Sequence, residues 1–87
     1  MIKLKIKSVD EYCNYVLEND NKTYEVNINF MGINKPSVED YIYMPEKILK
    51  ENVSLNFGPV ENDNLNEDEI IVLLNKENKI YLQRFFG

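Results

Sequence analysis

Residues 70–82 read IIVLLNKENKIYL, in which two apolar segments flank five polar residues. Runs of aliphatic residues bounded by turn-forming residues are typical of paired strands. We therefore predict a β-hairpin whose strands are residues 70–74 and 79–86. Residues 70–74 are apolar at every position, which predicts that both faces of this strand are covered.

The turn predicts the register of this hairpin. A three-residue loop with Asn78 in the left-handed conformation pairs Leu74 with Ile80 and Val72 with Leu82. One face of the hairpin then carries five aliphatic side chains, which are Ile70, Val72, Leu74, Ile80 and Leu82.

Two alternating segments precede the hairpin. Residues 2–17 alternate apolar and polar side chains with one change of phase, which predicts one long strand with a bulge or bend. Polar residues 18–22 form a turn, because Asn and Asp tolerate positive φ. Residues 23–31 then alternate strictly and are predicted to be the second strand.

The middle of the chain is less regular. Residues 41–44 are predicted to be a short third strand. Residues 45–51 are predicted to be a short helix, since Pro suits the first helical position. Residues 53–57 alternate only weakly, and residues 61–69 form a polar loop.

This order of elements predicts an all-β, small five-stranded barrel with one short helix between strands 3 and 4. Closure into a barrel removes exposed strand edges. The order resembles that of the OB-fold. The segment 36–42, PSVEDYI, is similar to the P-x-V-G-D-x-V pattern that begins a strand in many OB and SH3-like barrels, with Glu39 where Gly is usual. An SH3-like barrel is the alternative.

The composition excludes most catalytic chemistry. The 87 residues suffice for a single small domain, 1–87, and they contain no His and one Cys. Without His the chain lacks the commonest general base and metal ligand. Cys13 alone cannot form an internal disulfide or a tetrahedral zinc site. We predict a protein that is not an enzyme and that binds no cofactor and no metal.

The amino-terminal segment is basic but has no apolar stretch typical of a secretory signal. No segment approaches the roughly 18 consecutive apolar residues of a membrane span. We therefore expect a cytoplasmic protein that does not contact a membrane.

The resemblance to OB-folds implies a ligand face on strands two and three. On this chain the face would combine Glu25, Asn27 and Asn29 with the alternate residues of the third strand, either Tyr41 and Tyr43 or Ile42 and Met44. Tyrosine beside asparagine could stack on a base or a sugar and hydrogen-bond to it. The alternative interpretation is that the tyrosines pack over the core with their hydroxyl groups in water.

The charge argues against nucleic acid as a partner. Affinity for phosphates comes from Lys and Arg, whereas this chain has 10 basic and 15 acidic residues and a net charge of -5. The acidity is concentrated in one loop, and complementary charge could steer a basic protein to it. The candidate acidic docking loop consists of Glu61, Asp63, Glu67, Asp68 and Glu69.

The sequence therefore predicts a non-enzymatic interaction module that binds another protein or self-associates. The alternative is an OB-type protein that binds single-stranded nucleic acid or an oligosaccharide. A contiguous exposed apolar patch favours the protein partner. Clustered, exposed Tyr41, Tyr43 and Asn27 beside positive charge favour the ligand binder.

Overall fold

The computed structural model of the chain describes residues 1–61 and 66–87. Within those residues the chain forms seven strands, one short α-helix and one 3-10 turn. The strands are β1 Ile2–Val9, β2 Asn14–Asn19, β3 Lys22–Phe30, β4 Tyr41–Met44, β5 Ser54–Pro59, β6 Ile70–Leu74 and β7 Ile80–Phe85. The helix α1, Glu46–Glu51, lies between β4 and β5, and the 3-10 turn is Glu67–Glu69.

The strands form a closed barrel in the order β1-β2-β3-β5-β7-β6-β4, and β4 pairs with β1 to complete it. Only the β3–β5 pair is parallel in the described part of the chain. An all-β closed barrel with one short helix is confirmed. The prediction of five strands is wrong, and the barrel fits the OB-like and SH3-like architectures only loosely.

One extra strand arises because residues 10–13 form a turn instead of a bend. Oδ1 of Asp10 accepts hydrogen bonds from the backbone N–H groups of Tyr12 and Asn14, both at 2.9 Å. Cys13 adopts a φ of 64°, in the left-handed region. The chain therefore reverses direction here, and the predicted single strand 2–17 becomes the antiparallel pair β1–β2.

The other extra strand is β5. Its alternation is weak in the sequence, but Leu55 and Phe57 are fully buried. β5 lies between β3 and β7, so its inward side chains help to fill the barrel. The strand also extends through Gly58 to Pro59, two residues beyond the predicted segment.

The core occupies the interior of the barrel and alternates along each strand. Its most buried members are Leu4, Ile6, Tyr15, Leu17, Val26, Ile28, Ile42, Met44, Leu55, Phe57, Ile71 and Leu73. Helix α1 adds Ile48 and Leu49 to this core.

The predicted register of the last hairpin is confirmed. Leu74 pairs with Ile80, and Val72 pairs with Leu82. Asn78 adopts a φ of 63°, as the three-residue loop requires. The prediction that both faces of β6 are covered is wrong, because the face that carries these four side chains points away from the barrel interior and is partly exposed.

Glu39, which stands where the P-x-V-G-D-x-V pattern has Gly, lies in the segment before β4. Glu39 has a φ of 79°, a conformation that glycine adopts without strain. Its backbone N–H donates to the carbonyl of Ile6 at 3.0 Å. The following residue, Asp40, is buried and accepts a hydrogen bond from the backbone N–H of Ser37 at 3.0 Å. These contacts attach the loop to β1 and position β4 beside it.

Candidate functional site

Four neighbouring strands, β1, β4, β6 and β7, share one outer surface of the barrel. Their cross-strand pairs align in two rows that run perpendicular to the strands. The first row is Lys5, Tyr41, Leu74 and Ile80, and the second row is Lys3, Tyr43, Val72 and Leu82. Adjacent strands lie about 4.8 Å apart, so each row spans about 14 Å.

The surface therefore changes character from one strand to the next. Lysines lie on β1, tyrosines on β4, and aliphatic residues on β6 and β7. We call the six uncharged residues the apolar face, which consists of Tyr41, Tyr43, Val72, Leu74, Ile80 and Leu82. Ile80 is 66% exposed and Leu82 is 50% exposed, while the other four are half-buried.

The tyrosines point outward because their neighbours point inward. Ile42 and Met44 are fully buried in the core, so the alternation of the strand places Tyr41 and Tyr43 on the opposite side. Of the two pairs of β4 residues considered from the sequence, only the tyrosines are available to a partner.

A single lysine covers both tyrosine rings. Nζ of Lys3 lies 4.5 Å from the ring centroid of Tyr41 and 5.8 Å from that of Tyr43. Both distances are within the range of cation–π attraction. Among the described residues, no carboxylate lies within ion-pair distance of Lys3. The ammonium group therefore lies over the rings. It also borders a groove of about 290 Å³ that Glu18 and Asp20 line.

Lys5 has two acidic neighbours, Glu39 and its cross-strand partner Glu18. Its Nζ lies 3.0 Å from Oε2 of Glu39, and both side chains are substantially exposed. The hydrogen bond and the negative charge of Glu39 raise the pKa of Lys5 above its ordinary value. The charge of Lys5 is partly neutralised by this contact, whereas that of Lys3 is not.

The sequence predicted one ligand face containing Asn27, Asn29, Tyr41 and Tyr43, but the structure places these residues on two separated strands. Asn27 and Asn29 lie on β3, and the tyrosines lie on β4, with β2 and β1 between them on the shorter path around the barrel. The four side chains do not share one surface.

Asn27 also has a structural contact that the sequence did not indicate. Its Nδ2 donates to the carbonyl of Tyr12 at 2.8 Å and to Oδ1 of Asn14 at 3.1 Å. These bonds attach β3 to the turn between β1 and β2. Asn29 is exposed and pairs with Asn56 of β5.

The acidic loop is described only in part, and Asp63 lies outside the described residues. Glu61, Glu67 and Asp68 are exposed. Oε2 of Glu69 lies 3.3 Å from Nε of Arg84, so this carboxylate is paired with β7. A docking role for the loop stays a prediction.

Two further grooves lie elsewhere on the barrel, and the larger one reaches Leu74 at the edge of the apolar face. One, of about 620 Å³, lies between the loop that follows β3 and the last hairpin and includes Lys35, Asp40 and Tyr81. Nζ of Lys35 donates to the carbonyl of Asp10 at 2.7 Å, and Asp40 is bonded to Ser37. The second groove, of about 420 Å³, surrounds the turn at Asp10. Of the charged groups that line them, Asp10, Lys35 and Asp40 are engaged in local hydrogen bonds, whereas Glu25 is exposed.

Within residues 1–61 and 66–87, no three His, Cys, Asp or Glu residues come close enough to hold a metal ion. None of the described helices has the length and hydropathy of a membrane-crossing segment.

Sequence reasoning missed the exposure of the hairpin. The predicted register already placed five aliphatic residues on one face of the hairpin, and this grouping was the signal that could have indicated an exposed apolar surface. The continuous apolar run of β6 suggested coverage on both sides, but Val72 and Leu74 contribute to a partly exposed surface instead.

Comparison of the chain with protein-family models, with curated proteins and with solved structures finds no match.

Proposed function

We propose that the protein is a non-enzymatic interaction module that binds another protein through the apolar face. The observation that carries this proposal is the exposure of Ile80 and Leu82, at 66% and 50%, beside the half-buried Val72 and Leu74. Large contiguous apolar patches are uncommon on monomeric proteins and mark interaction surfaces. The barrel presents this patch on paired strands, so the side chains are held in place before a partner arrives.

An OB-type ligand binder is the second candidate, for single-stranded nucleic acid or an oligosaccharide. It is favoured by the position of Lys3 over the outward rings of Tyr41 and Tyr43. Two observations support the protein partner over this alternative. The amide of Asn27 is engaged in the fold, and the aliphatic half of the face offers no hydrogen bond to a base or sugar.

The test replaces the two most exposed side chains of the face. The double variant Ile80→Ser, Leu82→Ser and the control Val53→Ser are compared as affinity baits in a lysate of the native cells. Val53 is 83% exposed and precedes β5, away from the face, so it matches the loss of an exposed aliphatic side chain. We expect a protein that is retained by the wild type and by Val53→Ser but not by the double variant.

The captured protein is then purified and titrated calorimetrically into each variant. A binding constant that is unchanged by the double variant would contradict the proposal. Sedimentation velocity of the protein alone is the second measurement. A dimer that is dissociated by the double variant, with no retained partner, would assign the face to self-association instead.

A further inference from the structure

We infer that the partner of the apolar face is an acidic amphipathic protein segment, whose apolar side chains cover β6 and β7 and whose carboxylates meet Lys3 and Lys5. This inference rests on the proposed function. It adds the chemistry of the partner and the direction in which the partner lies on the face.

The arrangement of charge across the two rows carries the inference. Each row begins with a lysine on β1, passes through a tyrosine and ends with two aliphatic side chains. A matching partner therefore has acidic groups along one edge and apolar groups along the other, separated by about 14 Å, which is three strand spacings. Complementary charge at an interface fixes its register and its specificity.

Lys3 is the cation most available to such a partner. Its ammonium group lies over two tyrosine rings, with no ion-pair partner among the described residues. A carboxylate that contacts Lys3 would also lie beside the outward edge of β4, adjacent to the aliphatic half of the face. A partner docked in one position therefore contacts both the Lys3 ammonium group and the aliphatic residues of the face.

A second copy of the chain does not match this face. The outward positions of the four strands within it carry Lys3, Lys5, Arg84 and uncharged residues, and none of those positions is acidic. If two such faces met, the lysines would face lysines or aliphatic side chains. Unmatched charges at an interface are costly. Three acids beside the face already have a basic neighbour within the chain. Glu39 and Glu69 are paired with Lys5 and Arg84, and Glu18 of β2 lies directly across from Lys5.

The test uses three synthetic 18-residue helical peptides as probes. All three have the same leucines on one side, and their remaining positions carry Glu, Lys or Gln. Binding is measured by fluorescence anisotropy at low salt, and the location of binding by amide chemical-shift changes in NMR spectra. We expect the Glu peptide to bind about fivefold to tenfold more tightly than the Lys peptide, because exposed ion pairs each change affinity by a few fold. Shifts are expected at β1, β4, β6 and β7.

Two variants of this chain should change its preference for the Glu peptide over the Lys peptide in opposite directions. Lys3→Glu should weaken the Glu peptide about fivefold and strengthen the Lys peptide. Glu39→Gln should strengthen binding of the Glu peptide, since it removes the ion-pair partner of Lys5. Lys47→Glu on the exposed side of α1 is the matched control, since Lys47 lies in another element and should leave the ratio unchanged.

The outcomes separate this inference from the proposed function. If the Glu and Lys peptides bind equally and both shift the apolar face, the face is a docking surface without acidic preference, and only the inference is overturned. If the Lys peptide binds more tightly, or if the Glu peptide does not shift the face, the inference is also overturned. The proposed function is tested separately by the Ile80→Ser, Leu82→Ser comparison, which uses no charge change. A single-stranded oligonucleotide that binds more tightly than the Glu peptide would assign the lysines to nucleic acid.

Discussion

Leu82 and Gln83 are consecutive residues of β7, and the apolar side chain is the exposed one while the polar side chain is buried. Leu82 points outward and is 50% exposed, whereas Gln83 points into the barrel and is 2% exposed. Among the described residues, Oε1 of Gln83 has no hydrogen-bond partner. The barrel therefore buries a polar side chain on the strand that leaves aliphatic side chains in solvent, and this orientation places Leu82 in the apolar face.

This relationship predicts that replacement by Glu has a small effect on stability at position 82 and a large effect at position 83. Leu82→Glu should change the free energy of unfolding by less than about 0.5 kcal/mol, because exposed positions tolerate substitution. Gln83→Glu should lower it by about 3 kcal/mol at neutral pH, because an unpaired carboxylate would be buried. Urea denaturation of both variants checks the contrast.

The pH dependence of Gln83→Glu provides a second check. Burial raises the pKa of a carboxyl group, so the introduced acid should be neutral in the folded protein at moderately low pH. The stability deficit should therefore shrink as the pH falls towards about 4. Equal destabilisation by Leu82→Glu and Gln83→Glu would contradict the orientation of β7.

Replacement of Glu39 by glycine should relieve backbone strain and stabilise the fold relative to replacement by alanine. Its φ of 79° strains a residue that has a Cβ atom, and glycine removes that strain. Glu39→Gly should raise the free energy of unfolding by about 1 kcal/mol relative to Glu39→Ala. The alanine variant is the appropriate control because both substitutions remove the ion pair with Lys5. If glycine were no more stable than alanine, the left-handed conformation would be incorrect.

The side chain of Phe86 leaves too little room for a Cβ atom at position 58, where the chain has Gly. A Cβ atom on Gly58 would lie 2.8 Å from Cε1 of Phe86, which is closer than such atoms approach in practice. Gly58→Ala should therefore cost about 1 kcal/mol of stability. In a Phe86→Ala background the same substitution should cost much less, and a thermal-denaturation double-mutant cycle measures the difference. Additive effects would mean that the two residues are not in contact.

Asp10 should make stability depend on pH. Hydrogen bonds from the side chain and backbone of Asn14, and from the backbone of Tyr12, hold the pKa of Asp10 below its ordinary value. Because the folded pKa is the lower one, the ionised carboxylate stabilises the turn above the unfolded pKa. That contribution is lost as the pH falls through the folded pKa.

The variant Asp10→Ala should therefore be less stable than the wild type at pH 6, and the difference should narrow below about pH 4. Thermal denaturation across this range, together with an NMR titration of the carboxyl group, checks both statements. Glu11→Ala is the matched control in the same turn, since the carboxyl of Glu11 makes no hydrogen bond to a described residue. A constant difference between wild type and Asp10→Ala at all pH values would contradict the role of ionisation.

Local features of the fold were predictable from the sequence. The pairing of Leu74 with Ile80 and the left-handed Asn78 follow from a short turn between two alternating segments, and both are confirmed. The turn at Asp10 was not recognised because it has no Gly or Pro. Its reversal depends on side-chain hydrogen bonds and on the left-handed Cys13, which a pattern of polarity does not reveal.

The non-local parts were less predictable. The placement of β4 between β1 and β6 depends on pairing between distant segments, and the sequence indicated no such neighbours. For the same reason the predicted ligand face joined residues of β3 and β4 that are separated in the barrel. The last hairpin has apolar residues on both faces, so polarity did not determine which face points inward.

The parallel pair of β3 and β5 has a consequence for how the chain folds. Asn27 pairs with Ser54, although a loop, β4 and α1 lie between them in the sequence. The β1–β2, β2–β3 and β6–β7 hairpins can form from neighbouring residues, but this parallel contact requires a long loop to close. Proteins dominated by such distant contacts fold on the order of milliseconds to seconds. The β1–β4 and β4–β6 pairs join segments that are still farther apart in the sequence, and the β5–β7 pair joins segments at a similar separation. The formation of these distant contacts, with that of β3 and β5, is therefore expected to limit the folding rate.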